Sequence, residues 1–88
     1  MKLIYCPDCG TIINLDKHKT HCRCQASWGV YEDDGYNAYY GGKAIPIGIL
    51  NKSFFDSIKK QPELGSGKIF TAFTIPKLCS TFVKHQEA

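Results

Sequence analysis

The chain alternates short apolar runs with turn residues and has no long stretch of either kind. Thr11–Leu15 is β-branched and apolar and predicts a strand, with the polar run Asp16–Thr20 as the tip of a hairpin. Residues 26–33 alternate in part, with Trp28 and Val30 on one face and Tyr31 and Asp33 on the other. Asp34-Gly35 is a strong turn signal. Tyr36, Tyr39 and Tyr40 then fall at i, i+3 and i+4, a spacing that predicts one side of a helical turn ended by Gly41-Gly42. Residues 44–50, AIPIGIL, are apolar but interrupted by Pro46 and Gly48, which predicts an edge strand or an extended segment. A short helix follows, with Asn51 or Ser53 as its cap and Phe54, Phe55 and Ile58 as its apolar stripe. Gln61–Gly67 reads as a loop, residues 68–76 as the best strand in the chain, and residues 78–83 as another before a short polar tail.

Together these elements predict one α+β domain over residues 1–88. An N-terminal hairpin portion (6–33) would pack on a small antiparallel sheet with one or two short helices (36–84). At 88 residues and 43% hydrophobic content the chain is globular, yet short enough for its core to need a staple. No run approaches transmembrane length, and the start shows no secretory pattern, so the expected setting is the reducing cytoplasm. A net charge of +3 is too mild to predict nucleic-acid binding by itself.

The staple is visible as chemistry. Cys6 and Cys9 form a CxxC followed by Gly10, and Cys22-Arg23-Cys24 follows after twelve residues. Two close thiol pairs match the four soft ligands of a tetrahedral zinc ion, and glycine suits the tight turn after a CxxC. A reducing compartment and an odd cysteine count argue against disulfides, and the strand-like residues after the first pair argue against a redox CxxC. Four thiolates close the metal's shell, and no HxE or HExxH pattern is present, so a structural zinc is expected rather than a catalytic one. His18, His21 and Cys79 are available as substitute ligands, and His18 and His21 are also candidates for hydrogen bonds to the ligand sulfurs.

The run Cys6-x2-Cys9-Gly10-Thr11-Ile12-Ile13, His18, Cys22-x-Cys24, Asp34-Gly35 and a tyrosine resembles a family of small uncharacterised zinc-ribbon proteins from bacterial and bacteriophage genomes. The resemblance covers about residues 6–40. It implies Cys6, Cys9, Cys22 and Cys24 as the metal ligands and brings no assigned activity. Gln25 stands where that family has a glycine.

Two surfaces invite a functional reading. Trp28, Tyr31, Tyr36, Tyr39 and Tyr40, rimmed by Glu32-Asp33-Asp34, form a candidate face for a protein partner. Lys17, Lys19 and Arg23, around the second cysteine pair, form a candidate grip on nucleic acid, with Trp28 as a base-stacking platform. LGSGKI (64–69) is not a phosphate loop: Pro62 stands where a glycine is required and Ile69 where Ser or Thr is. Cys79 reads as an inert apolar thiol, with His85 too remote in pattern to activate it. The expectation is a non-enzymatic zinc-stabilised protein that docks on another protein, in its concrete form a phage-encoded modulator of a host protein. The alternative is a nucleic-acid-binding zinc ribbon. Open strand edges would also allow a dimer.

Overall fold

Cross-strand pairing between distant parts of the chain organises the molecule. The computed structural model describes residues 1–85, and among them are eight strands and one helix arranged as two four-stranded sheets. In the first sheet β1 (Lys2–Tyr5) lies between β2 (Ile12–Asn14) and β6 (Ile45–Ile49), and β7 (Ala72–Thr74) completes the order β2-β1-β6-β7, all antiparallel. In the second, β3 (Thr20–His21), β4 (Ser27–Tyr31) and β5 (Ala38–Gly42) are antiparallel, and β8 (Phe82–Lys84) adds to β5 in parallel. The helix, α1, spans Asn51–Lys59.

This corrects the expected α+β architecture. The molecule is mostly sheet with one short helix, and no N-terminal ribbon hairpin packs on a separate small sheet. The two cysteine pairs sit at the tips of different hairpins, β1–β2 and β3–β4, which belong to different sheets. Each sheet draws strands from both halves of the chain. The residues before Cys6 cause the difference: Lys2–Tyr5 pairs with Ile12–Asn14 on one side and with Ile45–Ile49 on the other.

Three local expectations also change. The Tyr36–Tyr40 segment is not helical. The Asp34 carboxylate accepts the amides of Tyr36 and Asn37, both at 2.9 Å, and shapes a turn with Gly35 at φ +68° that leads into β5. Strand periodicity then separates neighbours, so Tyr40 is buried and Tyr39 faces the other way. Pro46 lies in an inner strand rather than at an edge. Its carbonyl accepts from the Ile75 amide at 3.0 Å, so its missing N–H faces the β7 side, just past that short strand, and costs β1 no ladder bond. The strand expected over 68–76 shrinks to Ala72–Thr74, and that expected over 78–83 becomes Phe82–Lys84. The polar tail falls partly on residues 86–88, which lie outside the described residues.

The helix forms without either proposed cap. Leu50 holds the N-cap position with no side-chain bond, while Asn51 Oδ1 accepts from the Met1 amine at 2.8 Å and Ser53 Oγ from the Thr71 amide at 2.7 Å. Phe54 meets Phe70 edge-on at 4.9 Å, but no helix residue is buried.

The core lies between the sheets and is small: Ile4, Leu15, Ala38, Tyr40, Ala44 and Phe82, with Tyr40 and Phe82 edge-to-face at 5.0 Å. No residue from 49 to 81 is buried. The Cα radius of gyration is accordingly 14.4 Å, against the ~12 Å expected of a compact chain of this length.

One glycine ties the core to the second hairpin tip. Gly42 has φ +67°, and an added Cβ would stand 2.0 Å from the Ala26 carbonyl oxygen, a backbone atom that cannot swing away. Gly42→Ala is expected to destabilise the protein by about 2–4 kcal/mol in chemical denaturation, because left-handed strain and a backbone clash add.

Candidate metal centre

The site is built from two turns that follow one plan. In the first, the Cys6 amide donates to the Thr11 carbonyl at 2.9 Å and the Gly10 amide to the Cys6 carbonyl at 2.8 Å. In the second, the Cys22 amide donates to the Ser27 carbonyl and the Gln25 amide to the Cys22 carbonyl, both at 3.0 Å. Both turns therefore close over the same span, from a cysteine to the fifth residue after it. The residue missing from CxC before Cys24 is made up after it, by Ala26. In both, the residue following the second cysteine is left-handed: Gly10 at φ +71° and Gln25 at φ +65°. Gln25 is the only non-glycine residue with positive φ among those described.

The two turns bring four sulfurs together. Cys24 Sγ lies 3.6 Å from Cys6 Sγ and 3.5 Å from Cys22 Sγ, and the ligand atoms of Cys6, Cys9, Cys22 and Cys24 all lie within 4.8 Å of one another. All four thiols are free, at separations far beyond the ~2.05 Å of a disulfide. A tetrahedral ion with metal–sulfur bonds of about 2.3 Å places its sulfurs about 3.8 Å apart, and the observed spacing suits that arrangement. These four cysteines can hold a metal ion. Cys79 is not in the cluster; its sulfur lies 3.5 Å from Thr81 Oγ1.

The surroundings divide the thiols electrostatically. Cys9 is drawn down to about 5, first by the Thr11 hydroxyl 3.2 Å away and then by the Cys24 amide, against the opposing effect of burial. Cys6 is also lowered, chiefly by Ser27 and then by the Cys9 and Asp8 amides, although it is closed to solvent. The Ser27 hydroxyl is fully buried and has no partner at hydrogen-bonding geometry, so its influence on the nearby sulfur is electrostatic. For Cys24 the Ala26 amide is the strongest single influence and acts downward. Desolvation and the three neighbouring cysteines together outweigh it and push Cys24 up to about 12. Lys43, bound to Asp8 at 3.1 Å, supplies positive charge beside the cluster.

Thr11, Ser27 and Lys43 escaped the sequence reading. A signal for two of them was present: a hydroxyl residue stands five positions after the first cysteine of each pair. Lys43 had none, since it arrives from the β5–β6 turn, where its amide donates to the Ala26 carbonyl at 2.9 Å.

The other candidate residues are dispersed. His18 and His21 are exposed, and among the described residues neither imidazole hydrogen-bonds a cysteine sulfur, so the expected support for the ligands comes instead from Thr11 and Ser27. Lys17, Lys19 and Arg23 are exposed, but Lys19 Nζ lies 4.2 Å over the Trp28 ring. Trp28 is only 6% exposed and Tyr40 is in the core, so the five aromatics form no common face. The Tyr31 hydroxyl accepts from the Lys2 amide at 3.1 Å, and the Tyr39 hydroxyl donates to Glu32. Tyr36 alone of the five is exposed, with Lys2 Nζ 4.2 Å over its ring.

What fold and site define together is a two-sheet domain with a four-cysteine centre able to hold a metal ion. Comparison with protein-family models, curated proteins and solved structures returned no match.

Two outcomes follow from the site. Gln25→Gly relieves left-handed strain at the second turn and is expected to raise stability by about 0.5–1 kcal/mol in denaturant titration, the gain being trimmed by the greater freedom of glycine in the unfolded chain. The thiol values fix the sign of the pH dependence. Near neutral pH the metal-free protein carries Cys9 as thiolate and Cys24 as thiol, so loading must expel at least the Cys24 proton. Metal affinity should therefore fall as pH is lowered, by about tenfold per pH unit for each proton expelled, as measured by chelator competition.

Proposed function

We propose that this protein is a non-enzymatic, zinc-stabilised binding protein that acts in the cytoplasm and whose partner is another protein. The observation that carries the reading is the convergence of Cys6, Cys9, Cys22 and Cys24 from two sheets onto one point. Four thiolates complete a tetrahedral shell and leave no position for a water or substrate, so the metal's contribution is a cross-link between the hairpin tips. Zinc is the ion that this ligand set and geometry favour.

The binding role draws its support from the segment between Gly48 and Phe82. Phe55, Ile58, Leu64, Ile69, Phe73 and Leu78 are all exposed there, and exposed apolar side chains gathered in one segment are the raw material of an interaction surface. That segment, with Tyr36 beside the acidic turn as a secondary contact, replaces the five-aromatic face as the proposed docking surface. The resemblance over residues 6–40 supports the concrete form of a phage- or mobile-element-encoded modulator of a host protein. The nucleic-acid reading is not carried forward, because Trp28 is covered by Lys19 and packed into the sheet and so offers no stacking platform.

Two measurements test the proposal. Exhaustive chelation should remove one metal equivalent and abolish cooperative thermal melting, since binding energy on the order of 10 kcal/mol acts as folding energy at such sites; an unchanged melt would rule out a stabilising metal. Co-purification with the metal-loaded protein should recover a protein partner. The double variant Phe55→Ser/Phe73→Ser should lose it while keeping its metal, and equal recovery would place the docking surface elsewhere.

A further inference from the structure

Among the described residues, the second sheet ends on a strand paired on one side only. That strand is β8, bound to β5. The Ala38 amide donates to the Thr81 carbonyl at 3.0 Å and the His85 amide to the Tyr40 carbonyl at 2.8 Å. In a parallel ladder this sets the alternation: residues 81, 83 and 85 turn their backbone groups to β5, and Phe82 and Lys84 turn theirs away. The Phe82 amide is used by the Cys79 carbonyl at 3.3 Å. Among the described residues, the Phe82 carbonyl and the Lys84 amide and carbonyl are left on the open edge.

A cleft flanks each face of that edge. On the inner face, between the sheets, a cleft of about 560 Å³ has Tyr40, Ala44, Pro46 and Ile75 in its wall. On the outer face, a second of about 570 Å³ is lined by Leu78 and Val83. Lys77 and Lys84 line both clefts, and Lys43 lines the inner one. Among the described residues, neither cleft has an aspartate or glutamate in its lining. Lys43 is bound to Asp8, whereas Lys77 and Lys84 pair with no carboxylate among the described residues. Side chains of an added strand would alternate between the two faces, so they would enter the two clefts in turn, past a common pair of ammonium groups.

We propose that the free edge of β8 accepts an extended acidic segment of a partner protein as a fifth strand, with its carboxylates against Lys77 and Lys84 and its apolar side chains in the flanking clefts. Backbone pairing supplies the binding, and the lysines select an acidic segment over a basic one. The inference deepens the protein-binding reading and rests on it, by naming a chemistry for one partner segment at the β8 edge, which meets the exposed apolar segment at Leu78.

The test uses the metal-loaded full chain and a fluorescent peptide of alternating Glu and Val. Three readouts are expected. The peptide binds in anisotropy titration and slows amide exchange at Lys84. An alternating Lys and Val peptide does not bind, and neither does the acidic peptide N-methylated at alternate residues. Lys77→Glu/Lys84→Glu, two exposed changes that leave the melt in place, weakens binding by about tenfold or more. Failure of the acidic peptide to bind, equal binding of the basic or N-methylated peptide, or protection confined to α1 would each overturn the proposal. A partner recovered from lysate equally by wild type and by the double-Glu variant would overturn it too, while leaving the protein-binding reading standing. Loss of all recovery even by wild type would count against both.

Discussion

Everything in this molecule turns on four sulfurs held close by two copies of one turn. Thiolates at 3.5–3.6 Å repel, and without a cation among them they cannot all ionise. The Cys24 thiol, pushed up to about 12 while Cys9 is drawn down to about 5, expresses that conflict. A divalent ion held by the four sulfurs would reverse the sign of the interaction, turning mutual repulsion into a tie between the sheets. The polar groups around the cluster are arranged for the ionised state: the Thr11 and Ser27 hydroxyls, the turn amides and Lys43 all favour negative sulfur.

Such a tie matters because the rest of the fold is thin. Six buried side chains, two of them alanines, fill the space between the sheets. Single cores of this size supply only a few kcal/mol. The four cysteines bring the hairpin tips together, and the Lys43 amide, bonded to the Ala26 carbonyl beside Gly42, connects that end to the β5–β6 turn. Rigidity is thus concentrated around the cluster and the inner strands, β1, β4, β5 and β6.

The chain beyond β6 is organised differently. Helix α1 is held by a few side-chain bonds, such as Ser53 to Thr71 and Ser57 to Lys68, and by one aromatic contact, and β7 by its backbone ladder with β6, neither by burial. Apolar side chains without a core to enter, on a scaffold stiffened elsewhere, suit a surface completed by a partner. The β8 edge proposed to take an acidic strand would add a second kind of contact, directional and charge-selective, to the apolar one proposed at α1. A small protein can in this way combine a fixed frame with two docking chemistries.

The two cysteine turns were legible in the sequence because the geometry of each is local, whereas their meeting joins hairpins of different sheets. A CxxC-Gly turn is defined by neighbouring residues, and the CxC turn, which looked one residue short, reaches the same closure through Ala26 and accepts Gln25 in a glycine conformation. The Asp34-Gly35 turn and the existence of one helix after residue 50 were legible for the same reason. Partner choice between strands was not. Nothing within a few residues of Pro46 says that β6 will lie inside a sheet, since that depends on β1 and β7 arriving from positions some forty residues before it and some twenty-five after. Likewise Tyr36, Tyr39 and Tyr40 carry a helical spacing that pairing with β4 overrides, sending Tyr40 inward and Tyr39 out. Short-range covalent and turn chemistry, which the residues carry with them, determined the two cysteine turns; long-range hydrogen-bond ladders and the burial they impose decided how those turns meet, the sheets, the core and which surfaces remain open, because those energies exist only once distant segments have met.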